Sequence, residues 1–458
     1  MRVFMLGWEF PPHISGGLGT ACYGMTKGLD EIGVQVCFVL PTAVPVDGGE
    51  VTSHVDLRSP ANLPDYFEVE AENFHNVEIY QARATLQPYA APLSPQEQFH
   101  QHQRKVELTK KQSSTALQTP REQVQTQPQP QSPPKRSSGS IVFGGSGGHY
   151  AGNLMDQINR YARIAVSIAA NEEFDVIHAH DWMTYRAGLA VAASSGKPLV
   201  VHVHSTEFDR SGERVNQVVY DIERAGMHGA DRVVCVSHLT KTICERRYGV
   251  SPEKCTVVYN AVELPENDKI EFNPIRRDEK IVLFLGRVTF QKGPEYFLEA
   301  AKKVVERYPN VRFVMAGSGD MIAKCIRLAA DLRLGRYVTF TGFLRGKDVD
   351  KVFRMADLYV MPSVSEPFGI APLEALGRNV PVVISKQSGV SEVLTHALKV
   401  DFWDTEEMAN KILAVLRHPP LQKTLRQHGQ IELRKFSWVD TAVKLNEVYT
   451  PLAHGQNA

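Results

Sequence analysis

Two cations share one short loop, and they carry the first chemical signal of this chain. The segment Gly286-Arg287-Val288-Thr289-Phe290-Gln291-Lys292-Gly293 holds Arg287 and Lys292. An arginine supplies a planar fork of donors and a lysine a point charge, a combination that suits a diphosphate. Such a pair neutralises the negative charge that develops as a bond to phosphate breaks. A second cluster is Ser363-Val364-Ser365-Glu366-Pro367-Phe368-Gly369-Ile370-Ala371-Pro372-Leu373-Glu374. Pro372 suits the first turn of a helix. The backbone N–H groups at Phe368, Gly369 and Ile370 would lack partners at the start of that helix and suit an anion or polar sugar oxygens. A turn separates Glu366 from Glu374, so one carboxylate can face a sugar and the other a ribose. The plain alternatives are two solvated loop cations, a loop carboxylate and a glutamate that complements a helix dipole. They weaken because both clusters follow predicted strands and so meet at one cleft.

Two further motifs follow strands. Pro11-Pro12-His13-Ile14-Ser15-Gly16-Gly17-Leu18-Gly19 opens the first helix, and without Cβ atoms Gly16 and Gly17 let the backbone approach a phosphate. It is not the Gly-x-Gly-x-x-Gly fingerprint of dinucleotide binding. His178-Ala179-His180-Asp181-Trp182 has two histidines on one side of a strand, and His202-Val203-His204 repeats the spacing. Such pairs invite a metal reading. The His-x-His-x-Asp-His run of zinc hydrolases is not met, so no metal ligand is assigned and His180 is placed in the cleft against the sugar.

Parallel α/β units must position these groups. Short apolar runs at residues 2–7 and 34–40 flank a helical pattern around 18–32, which is strand, helix, strand. Phe174–Ala179, Leu199–His204 and Arg232–Ser237 continue the series. A second series begins near Glu279, with strands expected at 281–285, 311–316, 337–341, 357–361 and 381–384. The pattern predicts two doubly wound domains, 1–265 and 279–435, joined near 262–278. An amphipathic run from Phe436 reads as a terminal helix over 436–458. Residues 87–148 are rich in Gln, Pro and Ser, too polar to build a core, and read as a disordered insertion.

Composition narrows the partners. The 458 residues are 43% hydrophobic and 22% charged, and Lys+Arg and Asp+Glu both number 51. That balance argues against a nucleic-acid partner. No window approaches the ~18 apolar residues of a membrane span, and the N-terminal apolar run is too short for a signal peptide. None of the six cysteines forms a Cys-x-x-Cys pair, so a reduced, cytoplasmic protein is expected.

Taken together, these residues resemble the retaining family-4 glycosyltransferases of the GT-B fold, over nearly the whole chain apart from the insertion. Arg287 with Lys292, and Glu366 with Glu374 in the Glu-x7-Glu pattern, carry the likeness. His178-Ala179-His180-Asp181-Trp182 is similar to a histidine motif of glycogen and starch synthases. The resemblance implies roles for each position. Arg287 and Lys292 hold the donor diphosphate, and Glu366 binds the hexose near its 3- and 4-hydroxyls. Glu374 binds the ribose, Gly17 offers its N–H to phosphate, His180 contacts the sugar, and Ser388-Gly389 forms a further donor-facing turn. It also implies a terminal helix that crosses back to the N-terminal domain. The chain departs from bacterial glycogen synthases at Ile14, where they carry a donor-binding lysine, at Thr20 and at Phe368. The expected function is metal-independent, cofactor-free transfer of a hexose, glucose above all, from UDP- or ADP-glucose to a carbohydrate acceptor such as an α-glucan. The alternatives are a nucleotide-sugar epimerase of the same fold and a transferase acting on a small-molecule or lipid acceptor.

Overall fold

Fourteen strands form two sheets in this computed structural model, which describes residues 1–10, 16–41, 66–69, 75–82, 154–263 and 279–455. The expectations for Pro11–Ser15, for the 87–148 insertion, for most of the join near 262–278 and for residues 456–458 lie outside the described residues. The first sheet contains β1 (Arg2–Leu6), β2 (Gln35–Pro41), β3 (Tyr66–Val69), β4 (Val77–Ala82), β5 (Val176–His180), β6 (Leu199–Val203), β7 (Arg232–Cys235) and β8 (Cys255–Val257). Its spatial order is β3-β4-β2-β1-β5-β6-β7-β8, parallel throughout except for the β3–β4 pair. The second sheet contains β9 (Lys280–Leu285), β10 (Val311–Ala316), β11 (Val338–Gly342), β12 (Leu358–Met361), β13 (Val382–Ser385) and β14 (Leu398–Val400). It is wholly parallel, in the order β11-β10-β9-β12-β13-β14. These are two doubly wound Rossmann-like sheets, the GT-B arrangement.

The sequence pattern explains why the central strands are where they are. Val3, Phe4, Met5 and Leu6 are all fully buried, as are Val282 and Leu283. A parallel strand covered by helices on both faces must read as a continuous apolar run, and these do. The strands missed by the pattern are β3, β4, β8 and β14. Two of those span only three residues each, too few for a run to register. The expected strand ends also ran long. Ser237 leaves the strand to cap the helix His238–Tyr248, its Oγ accepting from the Thr240 N–H at 3.0 Å.

The terminal helix Trp438–Ala453 packs on the first helix, Gly17–Glu31. The contact needs glycine. A Cβ at Gly24 would stand 2.1 Å from Cε2 of Trp438, so the indole lies directly on the helix backbone. Eleven residues further on, Tyr449 reaches His178 on β5, with its hydroxyl 2.6 Å from Nδ1. The helix Trp438–Ala453 therefore packs against the first sheet, although it follows the second in sequence.

Candidate active site

The cationic loop leaves β9 at Gly286 and makes a single 3-10 turn, Phe290–Lys292, before the helix Pro294–Arg307. Gly293 joins turn to helix at φ +63°, and a Cβ there would lie 2.1 Å from the carbonyl oxygen of Pro362. That oxygen belongs to the second functional loop, so the glycine lets the two loops touch. A backbone bond, Val364 N–H to the Gln291 carbonyl at 2.9 Å, ties them again. The result is a close meeting of predicted residues. Lys292 Nζ donates to Glu366 Oε2 at 2.5 Å, and Ser363 Oγ donates to the same oxygen at 3.1 Å. Glu366 is only 6% exposed. Its N–H donates to Gln387 and its carbonyl accepts from Gly389, so the Ser388-Gly389 turn backs the carboxylate.

Gly369, at φ +104°, starts the helix Ile370–Gly377. Pro372 falls in its first turn and Glu374 in its middle. Phe368 turns its ring inward against Tyr259, at 5.9 Å between centroids, and Ile370 is buried, so neither side chain faces open space. Burial raises the Glu374 pKa against the opposing charge of Arg378. Tyr359 on β12 feels both glutamates. Burial first, then the charges of Glu366 and Glu374, push its phenol well up. Glu366 and Glu374 thus flank one strand end.

The first sheet meets this loop pair from the opposite side. Glu9 follows β1, and its Oε2 accepts from the Gly19 N–H at 3.1 Å. Burial raises its pKa and the positive charge of Arg287 opposes that rise. Glu9 also explains Gly16, where a Cβ would stand 2.5 Å from its carboxylate. This carboxylate fixes the far end of the glycine loop. The N–H of Gly19 is taken by Glu9, which leaves the N–H of Gly17, the residue expected to meet phosphate, as the next of the loop. The backbone of Gly17 borders open space, since a Cβ there would meet nothing within 4 Å.

The histidines correct an expectation. His180 was expected in the cleft; it is wholly buried. Its Nδ1 lies 2.9 Å from Nε2 of His204, which covers it and is itself partly exposed. His204 stands just past the end of β6, so the rule that singled out His180 points to His204 once the strand end is known. Asp181 fixes His204 by accepting its N–H at 2.7 Å and that of Ser205 at 3.3 Å. Asp181 holds a left-handed φ of 58°, strained for a residue with a Cβ. Burial, opposed first by Arg210, pushes its carboxyl up to about 7. Burial pulls His180 down to about 3 and holds His178, His202 and His204 well below the usual range. All four imidazoles are therefore neutral.

Three of these rings, His178, His180 and His202, place a nitrogen each within 4.8 Å of one another. Three nitrogens on one zinc ion would stand roughly 3.3 Å apart with lone pairs converging. Here His178 Nε2 and His202 Nδ1 are 3.2 Å apart in rings only 10° from parallel. They share a hydrogen bond, and the far nitrogen of His178 is taken by Tyr449. The geometry is that of a hydrogen-bonded chain, leaving only Nε2 of His180 and of His202 without a hydrogen-bond partner.

Two Rossmann-like sheets with the cationic loop and the two glutamates at their carboxyl ends are the GT-B arrangement of a glycosyltransferase. Comparison with known proteins agrees along the length of the chain. The family model "Starch synthase catalytic domain" matches residues 2–124, "Glycosyltransferase Family 4" residues 129–265 and "Glycosyl transferases group 1" residues 265–431. The protein is a glycosyltransferase, and it is similar to glycogen synthase-like and family-4 members of that class. An uncharacterized glycosyltransferase of Methanocaldococcus jannaschii is 27% identical over 98% of this chain and 98% of its own length. A glycogen synthase of Mycobacterium tuberculosis is 26% identical over 62% of this chain and 70% of its own. In structure, the sucrose-phosphate synthase of Thermosynechococcus elongatus covers 99% of both chains with a TM-score of 0.69 at 19% identity. The Anabaena protein HepE, solved in complex with UDP and glucose, covers 98% of this chain and 99% of its own with a TM-score of 0.63 at 16% identity. Among the described residues, no helix is long and apolar enough to cross a membrane.

Proposed function

We propose that this glycosyltransferase moves glucose from UDP- or ADP-glucose to an α-glucan, with retention at the anomeric carbon and without a metal ion. The observation that carries the reading is the Lys292–Glu366 pair, held by Ser363 at the end of β12. It puts a cation and a carboxylate side by side, as the junction of a diphosphate with a hexose requires. In this reading Arg287 and Lys292 hold the diphosphate, Glu366 takes hexose hydroxyls and Glu374 the ribose. Gly17 borders the phosphate, and His204 takes the sugar-facing place first given to His180. The bond from the anomeric carbon to the leaving phosphate breaks as the acceptor oxygen bonds to the same face. The acceptor's proton passes to the departing phosphate oxygen, whose charge the two cations stabilise. With those cations in place no metal is required. The glycogen synthase relative and the starch synthase family model support the glucan acceptor, and the UDP and glucose held by HepE support the donor. The described cysteines are all buried thiols without disulfides, which suits a cytoplasmic location.

The test is donor hydrolysis with UDP-, ADP- and GDP-sugars in the presence of a chelator, followed by an acceptor screen that includes α-glucans, small sugars and a lipid acceptor. Turnover of UDP- or ADP-glucose with glucan elongation is expected. Loss of activity on chelation would overturn metal independence, and a preference for the lipid would overturn the glucan. Conversion of donor alone to an epimer would establish the epimerase reading, which the family models do not support.

A further inference from the structure

A hydrogen bond between the two halves of the molecule sits one residue from Glu366. Ser365 Oγ donates to Asp209 Oδ1 at 2.5 Å, across 156 positions of sequence. Asp209 is only 1% exposed, and its other oxygen accepts from both the N–H and the hydroxyl of Thr206, each at 2.7 Å. It lies on the five-residue helix Glu207–Ser211, too short to persist alone. The helix is instead clamped from beneath. Arg210 bonds Glu207 at 3.1 Å, pairs with the buried Glu223 and donates to the Ser205 carbonyl at 3.2 Å. Glu207 accepts from Ser211 at 2.7 Å and from the Asn216 N–H at 3.1 Å. The same short helix touches the Phe290–Lys292 turn. One rigid element of the first half thus meets both donor loops of the second.

We propose that Asp209 and Ser365 are a positioning pair, which holds the Ser363–Glu366 loop so that Glu366 and Lys292 meet the donor hexose only when the two halves are closed. The proposal rests on the transferase reading above and names no new contact with substrate. The physical reason is the cost of a buried acceptor. Asp209 Oδ1 has water when the halves part and needs the Ser365 hydroxyl when they close. The bond therefore favours the closed loop, and closure is where transition-state contacts are made.

The experiment compares wild type with Ser365→Ala, Ser365→Thr, Asp209→Ala and the double variant Asp209→Ala/Ser365→Ala. Ser365 is partly exposed, so its variants fold. For Ser365→Ala, kcat should fall about tenfold or more, the worth of one bond to a charged acceptor, while the donor KM changes by less than about threefold. Ser365→Thr, which keeps the hydroxyl, should restore kcat to within about threefold of wild type, and the Ser365→Ala loss should vanish in the Asp209→Ala background. Hydrogen–deuterium exchange supplies a readout that needs no substrate: protection of the peptide over 363–369 should fall in Ser365→Ala. Unchanged exchange there, an unchanged kcat, or a rise in KM alone would overturn the pair. Failure of wild type to transfer from any nucleotide-sugar would instead strike the function, and the exchange result would still decide the pair.

Discussion

At the residue scale, the site turns on a few side chains whose neighbours are now known. Lys292 is bonded to Glu366, and the proposed function puts the pair where a leaving phosphate separates from a hexose. Lys292→Ala should lower kcat by roughly 10², the usual effect of removing one charge-stabilising donor. Steady-state kinetics on donor hydrolysis checks this, and near-normal turnover would remove Lys292 from the mechanism. His180 gives a prediction in pH. Its folded pKa, about 3, is depressed below an ordinary 6.5. Between those values the unfolded chain binds a proton that the folded chain does not, so acidification costs stability. The contribution is fully present above about 6.5 and is lost as pH falls, by about 1.4 kcal/mol for each unit. His180→Gln should therefore lose less of its melting temperature than wild type between pH 6.5 and 5. Parallel thermal melts in the two buffers measure the difference, and equal slopes would show that His180 is not buried as a neutral ring.

Elements decide which residues can meet. The first helix carries Gly24 and Gly28 where the terminal helix crosses it, and Trp438 fills the space that side chains would need. Gly24→Ala would force the indole away, an overpacking that costs about 1–3 kcal/mol. Chemical denaturation should show that loss in midpoint with little change in slope. An unchanged midpoint would mean that the terminal helix is loosely docked. The strand pattern was legible for β1, β2, β5, β6, β7 and the first five strands of the second sheet, because buried parallel strands leave continuous apolar runs. The ends of those strands were less legible. Whether a strand stops at Val203 or His204 depends on hydrogen bonds to neighbouring strands, and that one position is why the buried His180 rather than the half-buried His204 was expected in the cleft.

For the whole molecule, function needs the two sheets to face each other with their carboxyl ends inward. Beyond Asp209 and Ser365, Glu392 holds them. It accepts from the N–H groups of His238 at 3.0 Å and Leu239 at 2.7 Å, and from the Tyr259 hydroxyl at 3.1 Å. These contacts are solvent-exposed, so their joint worth is about 1 kcal/mol. Glu392→Ala should lower kcat by roughly fivefold, the shift in closed population that such an energy allows. Small-angle scattering should show a larger radius of gyration for the variant. An unchanged radius with unchanged kcat would assign closure to other contacts.

The sequence by itself determined the class of fold and most strands, and it picked out the loops to which the proposed donor chemistry is given. Apolar runs and charge types are local properties, and Arg287, Lys292, Glu366 and Glu374 declare themselves by type and by position after a strand. Only the tertiary structure decided that Lys292 and Glu366 are bonded partners, that Glu9 takes the N–H of Gly19, that His204 roofs His180, and that Asp209 reaches Ser365. Each of these joins residues on different elements, some of them more than a hundred positions apart, and spacing along a chain holds no record of which strand ends the fold will bring face to face.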